Sequence, residues 1–206
     1  MLHQMSEEIH PIHRLPSEIL ANIFVFCLPN RVLSYPRNRD LSYFTPALDA
    51  APLSLCNVCS FWRSLATSTP QLWRQFLIII ATPRVEDQTH TDRIVEFIHT
   101  WLRRAGALPL SIYFDCRRVK HTTERRLYAA LWEYASRWEN IAIFLQSPFA
   151  SWSRVEDLPL LHTLRITGDL NPDRPVWDVP FDSAPRLRIL TPPGILTTPT
   201  AIPGIP

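Results

Sequence analysis

The chain has 206 residues, 46% of them apolar and 19% charged, with a formal net charge of +2. That length holds one ordinary domain or a small module joined to a second unit, and seven tryptophans with ten phenylalanines supply ample core material. So small a net charge argues against the concentrated basic footprint that binds nucleic acid or an anionic membrane. The four cysteines, Cys27, Cys56, Cys59 and Cys116, follow no disulfide spacing, and the N-terminus lacks a basic segment leading into a long apolar run. The longest apolar stretches, Ile23 to Leu28 and Phe76 to Ala81, fall far short of the roughly 20 residues that span a bilayer. The expectation is a soluble cytoplasmic or nuclear protein with reduced thiols, no membrane partner and no nucleic-acid partner.

Residues 1–11 carry no persistent periodicity and read as a flexible lead-in. From Pro16, the positions Ile19, Leu20, Ile23, Phe24 and Cys27 recur at helical steps, which predicts a helix opened by a proline in its first turn and ended by Pro29. Asn30 to Ala51 contains Pro36 and Pro46 and has neither helical nor strand period, so 30–51 reads as an inserted loop. A second helix is expected from near Pro52, with Leu55, Val58, Cys59, Trp62, Leu65 and Ala66 as its apolar stripe. Thr69-Pro70 then opens a short third helix carrying Leu72 and Trp73, and Phe76 to Ile80 reads as a buried strand. Thr82 to Thr89 forms a natural boundary.

Beyond it, helix and strand alternate. Asp92 to Ala105 is expected to be a helix capped by Thr91 and stopped at Gly106, followed by a strand over Leu110 to Phe114. A helix over Thr123 to Trp138, on the spacing of Leu127, Leu131, Tyr134 and Trp138, and a strand over Ile141 to Leu145 repeat the unit. Shortened repeats follow at Leu158 to Ile166 and Ala184 to Leu190. Their spacing of roughly 20 to 30 residues suits leucine-rich repeats, whose strands share a core only when stacked. The fold class is therefore α+β or α/β: a three-helix module over 12–80, then a partial α/β solenoid over 91–190. The tail, 191–206, is rich in proline, glycine and threonine and is expected to be disordered, leaving the solenoid's last apolar edge for a missing unit or another protein.

Leu15-Pro16, Glu18-Ile19, Ile23-Phe24, Val58-Cys59, Trp62-Arg63 and Leu72-Trp73, in that order and spacing, resemble the F-box. The first third of the chain is similar to F-box proteins of the mushroom-forming-fungal type, as is the arginine-bearing helix before a Leu-Pro-Leu strand at Trp101 to Leu110. The resemblance implies a non-enzymatic substrate receptor of a ubiquitin ligase, which binds a Skp-type adaptor, through it a cullin, and elsewhere a protein substrate. The adaptor-binding residues it implies are Leu15, Pro16, Ile19, Leu20, Ile23, Phe24, Leu55, Val58, Cys59, Trp62, Leu65 and Trp73, some of which must instead hold the helices together. The loop over 30–51 departs from the family's short link, with Asp40-Leu41 as its remnant. The alternative is a non-ligase scaffold, or a truncated paralogue, without substrate binding. Lys120 is the only lysine among 21 basic residues, and ubiquitin is attached to lysine. Codon or lineage bias is the plain reading of that scarcity, and selection against self-modification the other.

Other signals carry less. Cys56-x-x-Cys59 with His10-x-x-His13 imitates half a zinc site, but both cysteines fall on an apolar stripe and no second pair exists, so no metal or cofactor is expected. Arg117, Arg118, Lys120, Arg125 and Arg126 read as a solvated loop and helix start. With four glycines there is no phosphate-cradling loop, nucleophile elbow or His-Glu metal motif, and His99 and His162 read as surface residues.

Overall fold

A computed structural model describes residues 11–28, 50–80, 88–116, 119–145, 157–168, 184–191 and 200–201. Most of the lead-in, the loop over 30–49 with Asp40-Leu41, the boundary residues 82–87, and Arg117 with Arg118 lie outside the described residues.

The protein mixes helix and strand around a sheet whose six strands lie side by side in chain order: β1 (Gln75–Ile79), β2 (Leu110–Asp115), β3 (Trp138–Leu145), β4 (Thr163–Gly168), β5 (Ile189–Thr191) and β6 (Thr200–Ala201). The first five run parallel, and β6 closes the sheet antiparallel to β5. Part of the tail read as disordered thus supplies a strand.

The register explains the apolar repeat. Side chains alternate between faces with a period of two, so residues paired across parallel strands form rows. Phe76, Ile112, Ile141, Leu164 and Leu190 make one row, and Ile78, Phe114, Ile143 and Ile166 the next. Both rows belong to the main core. Three residues before the first row stand Trp73, Trp138, Leu161 and Leu187, each at most 1% exposed. In β2, a register shift beside Leu110 lets that residue pair with Trp138. The turns before β4 and β5 are alike: Leu161 N–H donates to Leu158 C=O (3.2 Å), and Leu187 N–H to Ala184 C=O (3.0 Å).

Two helices in the crossovers cover this face. α4 (Gln88–Arg104) buries Ile94, Ile98, Trp101 and Leu102, and α5 (His121–Trp132) buries Leu127, Tyr128 and Leu131. α4 begins before Asp92, so Thr91 lies within it, 2% exposed, and is no cap. At its end Gly106 adopts φ +59°, the left-handed conformation that stops a helix. Arg137 secures the same corner, donating to Leu108 C=O from two guanidinium nitrogens (3.1 Å each) and to Leu102 C=O (3.3 Å). α5 stops at Trp132, six residues short of the expected end, because Trp138 is a buried rung at the start of β3 and a 3-10 turn over Ala135–Arg137 leads into it.

The N-terminal helices are α1 (Ser17–Phe26), α2 (Leu53–Cys56) and α3 (Ser60–Thr67), followed by a 3-10 turn at Pro70–Leu72. One continuous helix from Pro52 does not form. Cys59 is extended (φ −158°, ψ 173°) and caps α3, its Sγ accepting from Trp62 N–H at 3.4 Å. Arg63 Nε donates to Cys56 C=O (2.9 Å), which satisfies the end of α2. β1 follows directly and pairs with β2, so the stretch 12–80 contributes the first strand of the sheet. Leu20, Phe24 and Leu55 accordingly share one core cluster with the strands.

At the C-terminal end of the sheet, Tyr128 donates its hydroxyl proton to Phe144 C=O, and the Cys116 thiol is fully buried. Burial, and secondarily the neighbouring thiol, pushes the Tyr128 hydroxyl well above the usual tyrosine range; burial likewise pushes the Cys116 thiol far up. The native state therefore keeps these protons while the unfolded chain loses them at ordinary values. The contribution to stability is full below those values and is lost as pH rises toward the folded-state ones. The melting temperature should fall more steeply above about pH 9 for the wild type than for a Tyr128→Phe, Cys116→Ala double variant; equal slopes would refute the assignment. A Cβ at Gly106 would meet Pro70 only at 3.9 Å, an ordinary contact. Gly106→Ala should thus cost backbone strain alone, about 1 kcal/mol in urea denaturation.

Candidate docking surface

α1 is apolar on two sides. Leu20 and Phe24, one turn apart, are 0% and 1% exposed. Ile19, Ile23 and Phe26, at i, i+4 and i+7, form a second stripe that is 48%, 41% and 89% exposed. A helix burying one stripe in its own protein needs no second one for folding, and a cluster of large exposed apolar side chains marks an interaction surface.

The helix beneath is held by aromatic packing. The Phe24 ring lies 4.7 Å from that of Trp62, centroid to centroid, tilted by 51°. Trp62 and Leu65 are half-buried and pack against the core. The break after α2 turns the next residues outward: Val58 is 58% exposed and Phe61, in the first turn of α3, 40%. Leu15, 36% exposed, and exposed Pro16 precede α1. The packed pair α1 and α3 therefore presents Leu15, Ile19, Ile23, Phe26, Val58 and Phe61 to solvent.

The back of α3 is tied to the sheet through Trp73, which is 0% exposed. Its indole N–H donates to Ala66 C=O at 2.8 Å, near the end of α3. Its ring meets Trp101 edge-on at 4.8 Å and carries the Arg104 guanidinium 4.5 Å from its centroid. Thr69 Oγ1 donates to Leu65 C=O (2.7 Å), adding a further constraint at the same helix end.

The structure thus divides the twelve expected adaptor-binding residues. Leu15, Pro16, Ile19, Ile23 and Val58 face solvent; Cys59, Trp62 and Leu65 are intermediate; Leu20, Phe24, Leu55 and Trp73 are closed off and work inside the core. Phe26 and Phe61, outside those twelve, are exposed as well. Phe26 was legible as the third member of an i, i+4, i+7 series with Ile19 and Ile23. Phe61 had no such signal, because its exposure depends on the break at residues 57–59.

The sheet's other face is also largely covered. Leu77, Tyr113 and Ala142 stand in one row with Arg165, and Ile79, Asp115, Phe144 and Thr167 in the next. Ile79, Tyr113 and Ala142 form a small apolar cluster of their own, each at most 6% exposed. Only Thr167 of these two rows is exposed.

Cys56 and Cys59 serve a helix end and a cap, and among the described residues no group of three or more His, Cys, Asp or Glu is placed to hold a metal ion. His10 and the side chain of His13 lie outside the described residues. No described helix is long and apolar enough to cross a membrane. His99 is half-buried, its Nδ1 3.1 Å from the Tyr134 hydroxyl, whereas His162 is exposed. Among known proteins, no family model, curated protein or solved structure matches this chain.

The two sides of α1 should separate cleanly in stability measurements. Phe24→Ala should cost about 3–5 kcal/mol, whereas Phe26→Ser should stay within about 0.5 kcal/mol of wild type in the same urea titration. A large loss from Phe26→Ser would place that ring in the core.

Proposed function

We propose that the chain is an F-box-type receptor whose α1 and α3 dock onto a Skp-type adaptor and, through it, a cullin, presenting a protein substrate for ubiquitin transfer. The observation carrying this reading is the exposed second apolar stripe of α1, to which Val58 and Phe61 add further exposed apolar side chains before and within the first turn of α3. The order of Leu15-Pro16, Ile23-Phe24, Val58-Cys59, Trp62-Arg63 and Leu72-Trp73 supports it. On this reading the sheet with α4 and α5 is a short solenoid of leucine-rich-repeat type; its sequential parallel strands, aligned apolar rows and repeated turns support that description. The chain contributes binding, and the bond-making step belongs to its partners.

Burying a large exposed apolar side chain contributes about 1.5–3 kcal/mol, so placing a charge in such a contact is strongly unfavourable. Ile23→Asp and Phe26→Asp should each reduce capture of a purified Skp-type adaptor at least tenfold while leaving circular dichroism and melting temperature close to wild type. Undiminished capture by both variants, correctly folded, would put the interface elsewhere.

A further inference from the structure

Cys56 ends α2 and Cys59 caps α3, with a turn at Asn57 and Val58 between them. Both are free thiols and half-buried. One residue binds both: Arg63 N–H donates to Cys59 C=O (3.0 Å), and Arg63 Nε to Cys56 C=O (2.9 Å). A tight turn brings the residues on its two sides within about 7 Å, Cα to Cα, and a disulfide spans about 4.4–6.8 Å. Capping alone does not ask for sulfur. Cys59 Sγ accepts from Trp62 N–H at 3.4 Å, a task for which the oxygen of serine or threonine is the better acceptor. The surroundings are also positive: burial raises the Cys56 thiol above its usual range, and the Arg104 and Arg63 guanidiniums oppose that rise. A partly exposed thiol pair beside fixed cations is the setting in which cysteine exchanges with disulfides.

We propose that Cys56 and Cys59 are a modification site: a dithiol that a small anionic disulfide of the glutathione class converts to an intramolecular bridge, which withdraws Val58 and Phe61 from the exposed apolar surface. The consequence for docking rests on the receptor reading above; the bond does not. In the first step the Cys59 thiolate attacks one sulfur of the small disulfide. An S–S bond forms, the original one breaks, and the leaving sulfur keeps the electron pair and takes up the proton that Cys59 released. The Cys56 thiolate then attacks Cys59 Sγ and expels the second small thiol, which takes the proton from Cys56. Two protein thiols are oxidised and one small disulfide is reduced to two thiols, so nothing else is consumed. To reach Cys56, Cys59 Sγ must turn away from Trp62 N–H, and the first turn of α3 loses its cap. Val58, 58% exposed, lies inside the closed ring, and Phe61, 40% exposed, lies in the uncapped turn. Closure therefore re-forms the backbone that carries both side chains.

The test equilibrates the full chain in two glutathione buffers, one reducing and one rich in glutathione disulfide, maps disulfides by peptide analysis, and measures capture of a purified Skp-type adaptor in parallel. In the oxidising buffer, wild type should carry a bridge between Cys56 and Cys59, with buried Cys116 still a thiol, and capture should fall about tenfold as the contacts of two apolar side chains are lost. Dithiothreitol should restore both. In Cys56→Ser the exchange stops at a mixed disulfide, which the thiol in the buffer reverses without the advantage of a neighbouring second thiol, so capture should be equal in the two buffers. The inference is overturned if wild type keeps both thiols, carries only glutathione adducts on them, or bridges either one to Cys27. It is equally overturned by a bridged wild type that captures as well as the reduced chain, or by an equal loss of capture in Cys56→Ser. If reduced wild type captures no adaptor, the receptor reading fails and the consequence for docking with it, while the peptide map still decides the bond.

Discussion

Everything in the architecture turns on the enclosure of Trp73. The indole reaches back to Ala66 C=O at the end of α3, while its ring is enclosed by Trp101 and Arg104 of α4. Two residues later the chain is already in β1, paired with β2. One side chain thus joins the helices that carry the exposed stripe to the first rung of the sheet. A buried N–H left without an acceptor costs about 1–3 kcal/mol, so the hydrogen bond fixes where α3 ends relative to the strand. The position of α1 follows from α3 through Phe24 and Trp62.

That dependence explains how ten residues of helix can show two apolar faces without collapsing. Leu20 and Phe24 are anchored to a core that extends into the sheet, which leaves Ile19, Ile23 and Phe26 on the far side with no further layer of described structure over them. Three helices alone would bury too little surface to hold such an arrangement. Sharing a core with the sheet removes the difficulty. The same sharing means that core substitutions such as Phe24→Ala disturb the exposed apolar stripe indirectly, through loss of the packing beneath it.

The strands over 110–114 and 141–145 are legible as short apolar runs recurring at a repeat spacing, and in the sheet their residues Ile112 and Ile141 stand in one row with Leu164 and Leu190. The end of α4 was legible because Gly106 marks a backbone conformation that other residues resist. Two helices end earlier than their apolar spacing predicts, for a common reason. Leu127, Leu131, Tyr134 and Trp138 fit a helical period, yet Trp138 belongs to a strand; Leu55, Val58, Cys59 and Trp62 fit one as well, yet Cys59 is a cap. Periodicity records where apolar residues recur, and a three-residue turn between two elements can preserve that recurrence while changing the direction of the chain. The division of α1 into inward and outward stripes was hidden for a different reason. All of Ile19, Leu20, Ile23 and Phe24 are apolar, and which pair is covered depends on where the rest of the core, Trp62 included, packs against the helix.

The arginine bias has a structural component. Arg137 donates three hydrogen bonds to two carbonyls on different segments, which requires a forked, planar group with several N–H directions. Arg104 lies against the face of Trp73, where a flat, weakly hydrated cation is favoured over an ammonium. Arg63 closes the end of α2 from a position on α3. At these three places a lysine would carry the charge and lose the geometry. Arginine is thus favoured where charged side chains brace the joint between helices and sheet. Lys120 lies outside this joint, immediately before α5.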